Sequence, residues 1–299
     1  PTPLNYYSMH TKKINVDGAI QITGSHNPSE YNGFKITYNK KPFFGNDIKL
    51  LYDMIIKEEF VSGNGTIENY NIVDDYISMI QSKINISNKI RVAIDCGNAA
   101  GCIVAPMLYR SFNIDIFELY CDINGNFPNH HPDPTVDSNL VDLQNFILDN
   151  KCDLGIAFDG DADRIVVVDE KGQIIRSDIL IAILLSKIIK KGDTIVYDVK
   201  CSKALEDTIL KFGGNPVMWK TGHSLIKNKM KEEEAKLGGE MSGHIFFADD
   251  YFGYDDAIYV GLRLIEILSS DNNKLSELLI EIPKYYSTPE LRLNCKSDN

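Results

Sequence analysis

Ile90-Arg-Val-Ala-Ile94, followed by Asp95-Cys-Gly97-Asn-Ala-Ala-Gly101, is the stretch on which the fold turns. Its first five residues are mostly apolar and β-branched, which makes a buried-strand run. The glycine turn behind it leads into Val104 to Phe112, whose spacing predicts a helix. Ile114 to Tyr120 is the next strand, and strand, glycine turn, helix, strand is the grammar of a βαβ unit. The same grammar returns downstream: strand at Thr194 to Asp198, helix at Ala204 to Phe212, a break at Gly213-Gly-Asn-Pro216, strand at Val217 to Lys220. Upstream, Gly18 to Thr23 reads as a short strand entering a Gly, Ser, Asn and Pro loop, and Asp47 precedes a helix over 48–56. The class is therefore α/β, with two similar units after a partial first one.

Between these units, helices are expected at Asn71 to Met79 and Asn139 to Asn150, and a loop over Asn124 to Thr135. Leu154 to Phe158 and Ile165 to Asp169 read as strands flanking an acidic loop, with a further strand at Gln173 to Ile175. Ser177 is an N-cap candidate for a helix through Ile189, and Thr221-Gly-His223 opens another to Lys231.

At roughly 150 residues per domain, 299 residues suggest two domains, and three small ones also fit. The net charge of -11, with no run of Lys and Arg, argues against nucleic acid as a partner. The six cysteines form no Cys-x-x-Cys pair and read as isolated thiols of a reducing cytoplasm, not a zinc site. No signal peptide is visible, and no apolar stretch approaches the ~20 residues of a membrane span. The chain begins at Pro1, which leads us to expect that it starts inside a longer gene product. Nothing in it sets an oligomeric state.

Three loops carry candidate chemistry. Thr23-Gly-Ser25-His26-Asn-Pro28 offers a nucleophile beside a base, a phosphate carrier, or only a polar turn. It lacks the Gly-x-Ser-x-Gly elbow, and adjacent side chains on extended backbone point apart, which weakens a direct Ser25–His26 pair. Asp159-Gly-Asp161-Ala-Asp163-Arg164 sets three carboxylates in a tight loop between apolar strands, where they would repel without a cation. All-oxygen ligands suit Mg²⁺ or Ca²⁺. The loop is no EF-hand, and an Asp-x-Asp phosphatase would not run straight into a second strand. In Gly239-Glu240-Met-Ser242-Gly243-His244, the residues Glu240, Ser242 and His244 alternate, so an extended segment would put them on one face. Glu and Ser suit vicinal hydroxyls, and His moves protons near neutrality.

In this order the three loops resemble those of the phosphohexomutases of the phosphomannomutase/phosphoglucomutase family. Tyr31-Asn-Gly-Phe-Lys35, Asn129-His-His-Pro-Asp-Pro134, Asp198-Val-Lys200-Cys201 and Val217-Met-Trp-Lys-Thr-Gly-His-Ser224 extend the match along the chain. The resemblance implies phosphohexomutase-like, consecutive α/β domains with mixed sheets flanked by helices. It implies that Ser25 is the phosphoserine, and that Asp159, Asp161 and Asp163 bind Mg²⁺ with a Ser25 oxygen as a further ligand. His26, Lys35 and Arg164 would line the same site as polarising or proton-handling groups, and His244 would be a proton shuttle. Glu240 and Ser242 would hold sugar hydroxyls, and Lys200 and His223 would contact the sugar phosphate. The implied partners are hexose phosphates and a hexose 1,6-bisphosphate. The implied reaction interconverts hexose 1- and 6-phosphates through the bisphosphate, with glucose and mannose, which differ only at C2, both admitted.

The resemblance also divides the chain: 1–70 as a partial domain 1, 71–174 as domain 2, 175–285 as domain 3, and 286–299 as a hinge into a fourth. Family members begin well before the serine strand and carry a late phosphate-binding loop, and neither part is in this sequence. Three alternatives follow: a non-catalytic Mg²⁺ and phosphosugar-binding fragment, a phosphatase-like hydrolase, and a phosphoglucosamine mutase, although the last tends to carry Gln in place of Met241.

Overall fold

Three sheets carry the chain, one in each unit, in a computed structural model that describes residues 1–28, 30–271 and 273–286. Nearly all of the expected hinge over 286–299 lies outside the described residues. In the first unit, helix α1 (Thr2–Ser8) precedes an antiparallel sheet of β1 (Gly18–Ile22), β2 (Phe34–Tyr38) and β3 (Lys41–Pro42), and then α2 (Asn46–Ile56). The predicted helix over 48–56 is there, but α2 buries no side chain, and Leu50, Tyr52 and Ile56 stay exposed.

The second unit contains α3 (Val73–Gln81), β4 (Ile90–Asp95), α4 (Ala105–Arg110), β5 (Ile114–Leu119), α5 (Val141–Asn150), β6 (Leu154–Phe158), β7 (Ile165–Asp169) and β8 (Ile174–Ile175). Its sheet runs β5-β4-β6-β7-β8. Strand β4 is parallel to β5 and β6, while β7 and β8 turn back antiparallel. Every residue of β6 and β7 is buried, as expected of strands covered on both faces.

The third unit contains α6 (Ser177–Ile188), β9 (Thr194–Asp198), α7 (Lys203–Lys211), β10 (Asn215–Trp219), α8 (His223–Glu232), β11 (Leu237–Gly239), β12 (Ile245–Phe247), α9 (Ala257–Asp271) and the short α10 (Leu275–Leu278). Its sheet runs β10-β9-β11-β12, with the last strand antiparallel to β11 as β7 is to β6. Leaving out β8, the two sheets share one topology, and the β6–β7 and β11–β12 hairpins hold equivalent places in it. The acidic loop is the tip of the first hairpin and the Glu240 turn is the tip of the second.

One expectation needs local correction. The cap of α6 falls on Arg176, and Ser177 is the first helical residue, packed away from solvent. A single apolar cluster runs from Leu4 through Val92, Ile156 and Leu184 to Leu262, so the units pack on one another. A buried polar knot crosses that junction: the hydroxyls of Tyr76 (2.8 Å) and Tyr251 (2.6 Å) donate to Asp256 Oδ2. Among the described residues no helix is long and apolar enough to cross a membrane.

Candidate active site

The serine loop and the acidic loop meet. Ser25 has φ +50°, a left-handed conformation that bends the chain at the loop's tip. Its N–H donates to Thr23 Oγ1 at 2.8 Å, a local bond that holds the bend. The bend overturns the extended-backbone argument against a Ser25–His26 pair: Ser25 Oγ lies 3.2 Å from His26 Nδ1. The same hydroxyl donates to Asp159 Oδ2 at 2.7 Å. Burial and the Arg164 guanidinium lower the His26 pKa, which keeps the ring neutral near pH 7.

Gly160 makes this approach possible. A Cβ there would stand 2.0 Å from the Ser25 carbonyl oxygen, a main-chain atom with nowhere to go. We expect Gly160→Ala to push the serine loop off the carboxylates. Displacements of about 1 Å can cost ~10²-fold in a positioned reaction. Phosphate uptake by Ser25 should fall by that order, and an unchanged initial rate of uptake would show that the loop contact does not matter.

Asp159, Asp161 and Asp163 are all buried, and each offers an oxygen within 4.8 Å of the others. Asp159 Oδ1 accepts the N–H groups of Asp163 (3.1 Å) and Arg164 (3.0 Å), which closes the loop on itself. Lys35 Nζ, from β2, donates to Asp161 Oδ2 at 2.7 Å and also to Asp163 Oδ2. Thr2, at the start of α1, donates its hydroxyl to Asp161 Oδ2 at 2.6 Å. Asp161 Oδ1 and Asp163 Oδ1 are buried without a hydrogen-bond partner among the described residues. Burial and the neighbouring carboxylates push Asp159 well up, and burial and Asp161 push Asp163 up to about 7. Burial would raise Asp161 too, but the Lys35 ammonium and the hydrogen bonds from Lys35 and Thr2 hold it below the usual carboxylate range. The loop thus has more anionic capacity than Lys35 and Arg164 neutralise, and unpaired oxygens to offer. That donor set fits a hard divalent cation.

The Glu240 turn corrects a further expectation. Residues 240–243 are not extended: Glu240 N–H donates to the His244 carbonyl (2.9 Å) and Gly243 N–H to the Glu240 carbonyl (3.1 Å), so they close a tight turn in place of an alternating strand. Ile165 N–H donates to the Gly243 carbonyl at 3.1 Å, tying this turn to the start of β7. Glu240 is buried, its Oε1 taken by the Gly222 N–H, and burial raises it to about 7. His244 Nε2 accepts from Arg164 Nε at 3.0 Å. Its Nδ1 lies 2.9 Å from Asp255 Oδ2, close but not aligned as a hydrogen bond. Burial outweighs Asp255 and brings the His244 pKa down to about 4.

A cavity of about 1050 Å³ opens beside these loops, and His26, Arg164, Lys200 and Ser242 line it together. Glu240 and His244 sit behind its wall. His223 is turned away, stacked on His244 at 5.3 Å with its Nδ1 3.4 Å from Asp255 Oδ2. Two residues of this network were not singled out from sequence. Thr2 gave no signal. Asp255 did, because Tyr251-Phe-Gly-Tyr-Asp255-Asp256 sets two acids among aromatics, where a charge needs partners.

A family model described as phosphoglucomutase/phosphomannomutase alpha/beta/alpha domain I matches residues 1–62, the domain II model matches 74–172, and the domain III model matches 176–286. The chain belongs to the phosphoglucomutase/phosphomannomutase family. It is 42% identical over 301 residues to a phosphomannomutase/phosphoglucomutase of Pseudomonas aeruginosa, covering 100% of this chain and 65% of that protein. It is 34% identical over 312 residues to a phosphomannomutase of Methanocaldococcus jannaschii, covering 99% of this chain and 67% of that one. A crystal structure of a family protein from Burkholderia thailandensis superposes with a TM-score of 0.90 at 40% identity, covering 97% of this chain and 65% of the other. The chain thus spans about 65% of the length of the Pseudomonas relative.

Proposed function

We propose that this chain carries the phosphoryl-transfer centre of a phosphohexomutase that interconverts hexose 1- and 6-phosphates of glucose or mannose in the cytoplasm. The observation that carries this is the 2.7 Å contact between Ser25 Oγ and Asp159 Oδ2, which sets a bent-loop hydroxyl of the first unit against the buried carboxylates of the second. Ser25 takes phosphate from a hexose 1,6-bisphosphate and returns it to the other end of a sugar. The Ser25 hydroxyl donates to Asp159 Oδ2, and His26 Nδ1, neutral and 3.2 Å away, is placed to take the proton when that hydroxyl turns toward it. Lys35, 2.7 Å from Asp161 Oδ2, brings positive charge to the same locus. Arg164 and Lys200 on the cavity wall bind the sugar's phosphate, and Ser242 meets its hydroxyls. Glu240 and His223 act from behind that wall, as supports for the turn and for His244. His244 Nε2 accepts from Arg164 in this arrangement, so it takes a sugar proton when Arg164 turns to phosphate. Asp159, Asp161 and Asp163 would hold Mg²⁺ together with Ser25 Oγ. When bound, that ion supplies charge neutralisation at the transferring phosphoryl group.

The test is incubation of the chain with labelled glucose and mannose 1,6-bisphosphates in the presence of Mg²⁺. We expect label on a single serine, Ser25, and release of hexose monophosphate. A chain that binds the sugar but never acquires label would leave only the non-catalytic alternative.

A further inference from the structure

The cysteines are not all isolated thiols. Cys96 follows the end of β4, Cys121 lies just past β5, and Cys102 sits in the short 3₁₀ turn Ala100–Ile103. Cys121 Sγ lies 3.3 Å from Cys96 Sγ and 3.3 Å from the Leu119 carbonyl oxygen. The backbone explains the contact. Strands β4 and β5 are parallel with Asp95 opposite Leu119, and their pairing continues past both ends. Cys96 N–H donates to the Leu119 carbonyl at 3.2 Å and Asn98 N–H to the Tyr120 carbonyl at 2.7 Å. In that register Cys96 falls opposite Tyr120, and Tyr120 takes a left-handed φ of +52°, which breaks the strand's alternation so that Cys121, one residue on, meets Cys96. From 3.3 Å, the sulfurs need to close by about 1.3 Å to reach bonding distance.

We propose that Cys96 and Cys121 are an oxidation site that forms an intramolecular disulfide with a peroxide. Cys121 is half-buried and Cys96 fully buried, so Cys121 meets the oxidant first. Its sulfur attacks one peroxide oxygen and the O–O bond breaks. The departing hydroxide takes the thiol proton as water, leaving Cys121 as the sulfenic acid. Cys96 Sγ then attacks the Cys121 sulfur, the S–O bond breaks, and the second hydroxide leaves as water with the Cys96 proton. Two thiols are oxidised by two electrons and one peroxide is reduced. A dithiol reductant reverses the step by exchange. Contacts with the neighbouring Cys102 and Cys121 thiols, and then burial, hold Cys96 well above the ordinary thiol range, so the second step is the slower one.

The site adjoins the acidic loop. A side chain at Gly101 would touch Cys96 Sγ at 3.6 Å on one side and Ala162 Cβ at 3.7 Å on the other. Ala100 N–H donates to the Gly160 carbonyl at 3.1 Å. The segment that the disulfide would pin is therefore the one on which the carboxylates rest.

The test is to treat the folded chain with hydrogen peroxide, alkylate the remaining thiols and map the peptides. We expect loss of two of the six thiols, a cross-link between the peptides carrying Cys96 and Cys121, and recovery with dithiothreitol. Cys121→Ser should keep the remaining thiols free, while Cys102→Ser should still form the cross-link. Full retention of thiols in the wild-type chain overturns the proposal, as does a cross-link from Cys96 to Cys102. The wild-type map decides even where a variant does not fold.

Discussion

We expect Ser25→Ala to take up no phosphate from a labelled hexose 1,6-bisphosphate, while its circular dichroism stays close to wild type and its affinity for Mg²⁺ falls by no more than the loss of one oxygen ligand. The change removes the hydroxyl that reaches both His26 Nδ1 and Asp159 Oδ2. The left-handed backbone at φ +50° costs an alanine on the order of 1 kcal/mol, much as it costs the serine, so the loop keeps its shape. Removing a nucleophile outright typically costs on the order of 10⁴-fold or more. Ser25→Thr sharpens the experiment. Threonine keeps a hydroxyl, but a β-branched residue fits the left-handed region poorly, so the oxygen is carried away from Asp159. We expect threonine to fail almost as fully as alanine. Label retained on the alanine variant would end the phosphoserine assignment.

Lys35→Met should make the protein depend on its cation for stability. Lys35 is the ammonium held between Asp161 and Asp163, and its side chain is only 17% exposed. Breaking a buried pair by removing one partner costs about 3–5 kcal/mol. We expect a loss of that size by urea denaturation in a chelator, with most of it regained at saturating Mg²⁺. The sign with pH follows from Asp163, whose carboxyl is pushed up to about 7 in the folded chain. A raised folded pKa is stability present below the unfolded value, near 4, and lost as pH rises through about 7. In the wild-type chain without metal, stability should therefore fall across that window, and added Mg²⁺ should stabilise more at pH 8 than at pH 5. A methionine variant as stable as wild type in chelator would show that Lys35 neutralises nothing.

Much of this was legible in the residues, because period and punctuation write the strands directly. The runs at Ile90, Leu154, Ile165 and Thr194 all became strands where the spacing put them. The acidic loop was legible for a physical reason, since three carboxylates between buried strands need a counter-charge. Geometry within loops was not. The Ser25–His26 contact depends on one positive φ, and the Glu240 turn on two hydrogen bonds, neither of which alternation of residue types encodes. Thr2 reaches Asp161 across 159 residues, so no local pattern announces it, and the acids among aromatics at Asp255 signal a need for partners without saying that His244 is one. The cysteine pair was missed in the same way: its two members are far apart in sequence and adjacent only through parallel pairing.

Those long spans bear on how the site is assembled. The contacts that close the site join residues 134 positions apart (Ser25 to Asp159), 126 apart (Lys35 to Asp161) and 159 apart (Thr2 to Asp161). Closing loops of that length is entropically late, whereas each hairpin and βαβ unit closes locally. Competence should then trail compaction: in refolding from urea, recovery of Mg²⁺ affinity lags recovery of far-ultraviolet dichroism, and simultaneous recovery would show that the units and their junction form in one step. A nascent chain would hold its serine loop for well over a hundred residues of synthesis before the carboxylates that give it purpose emerge.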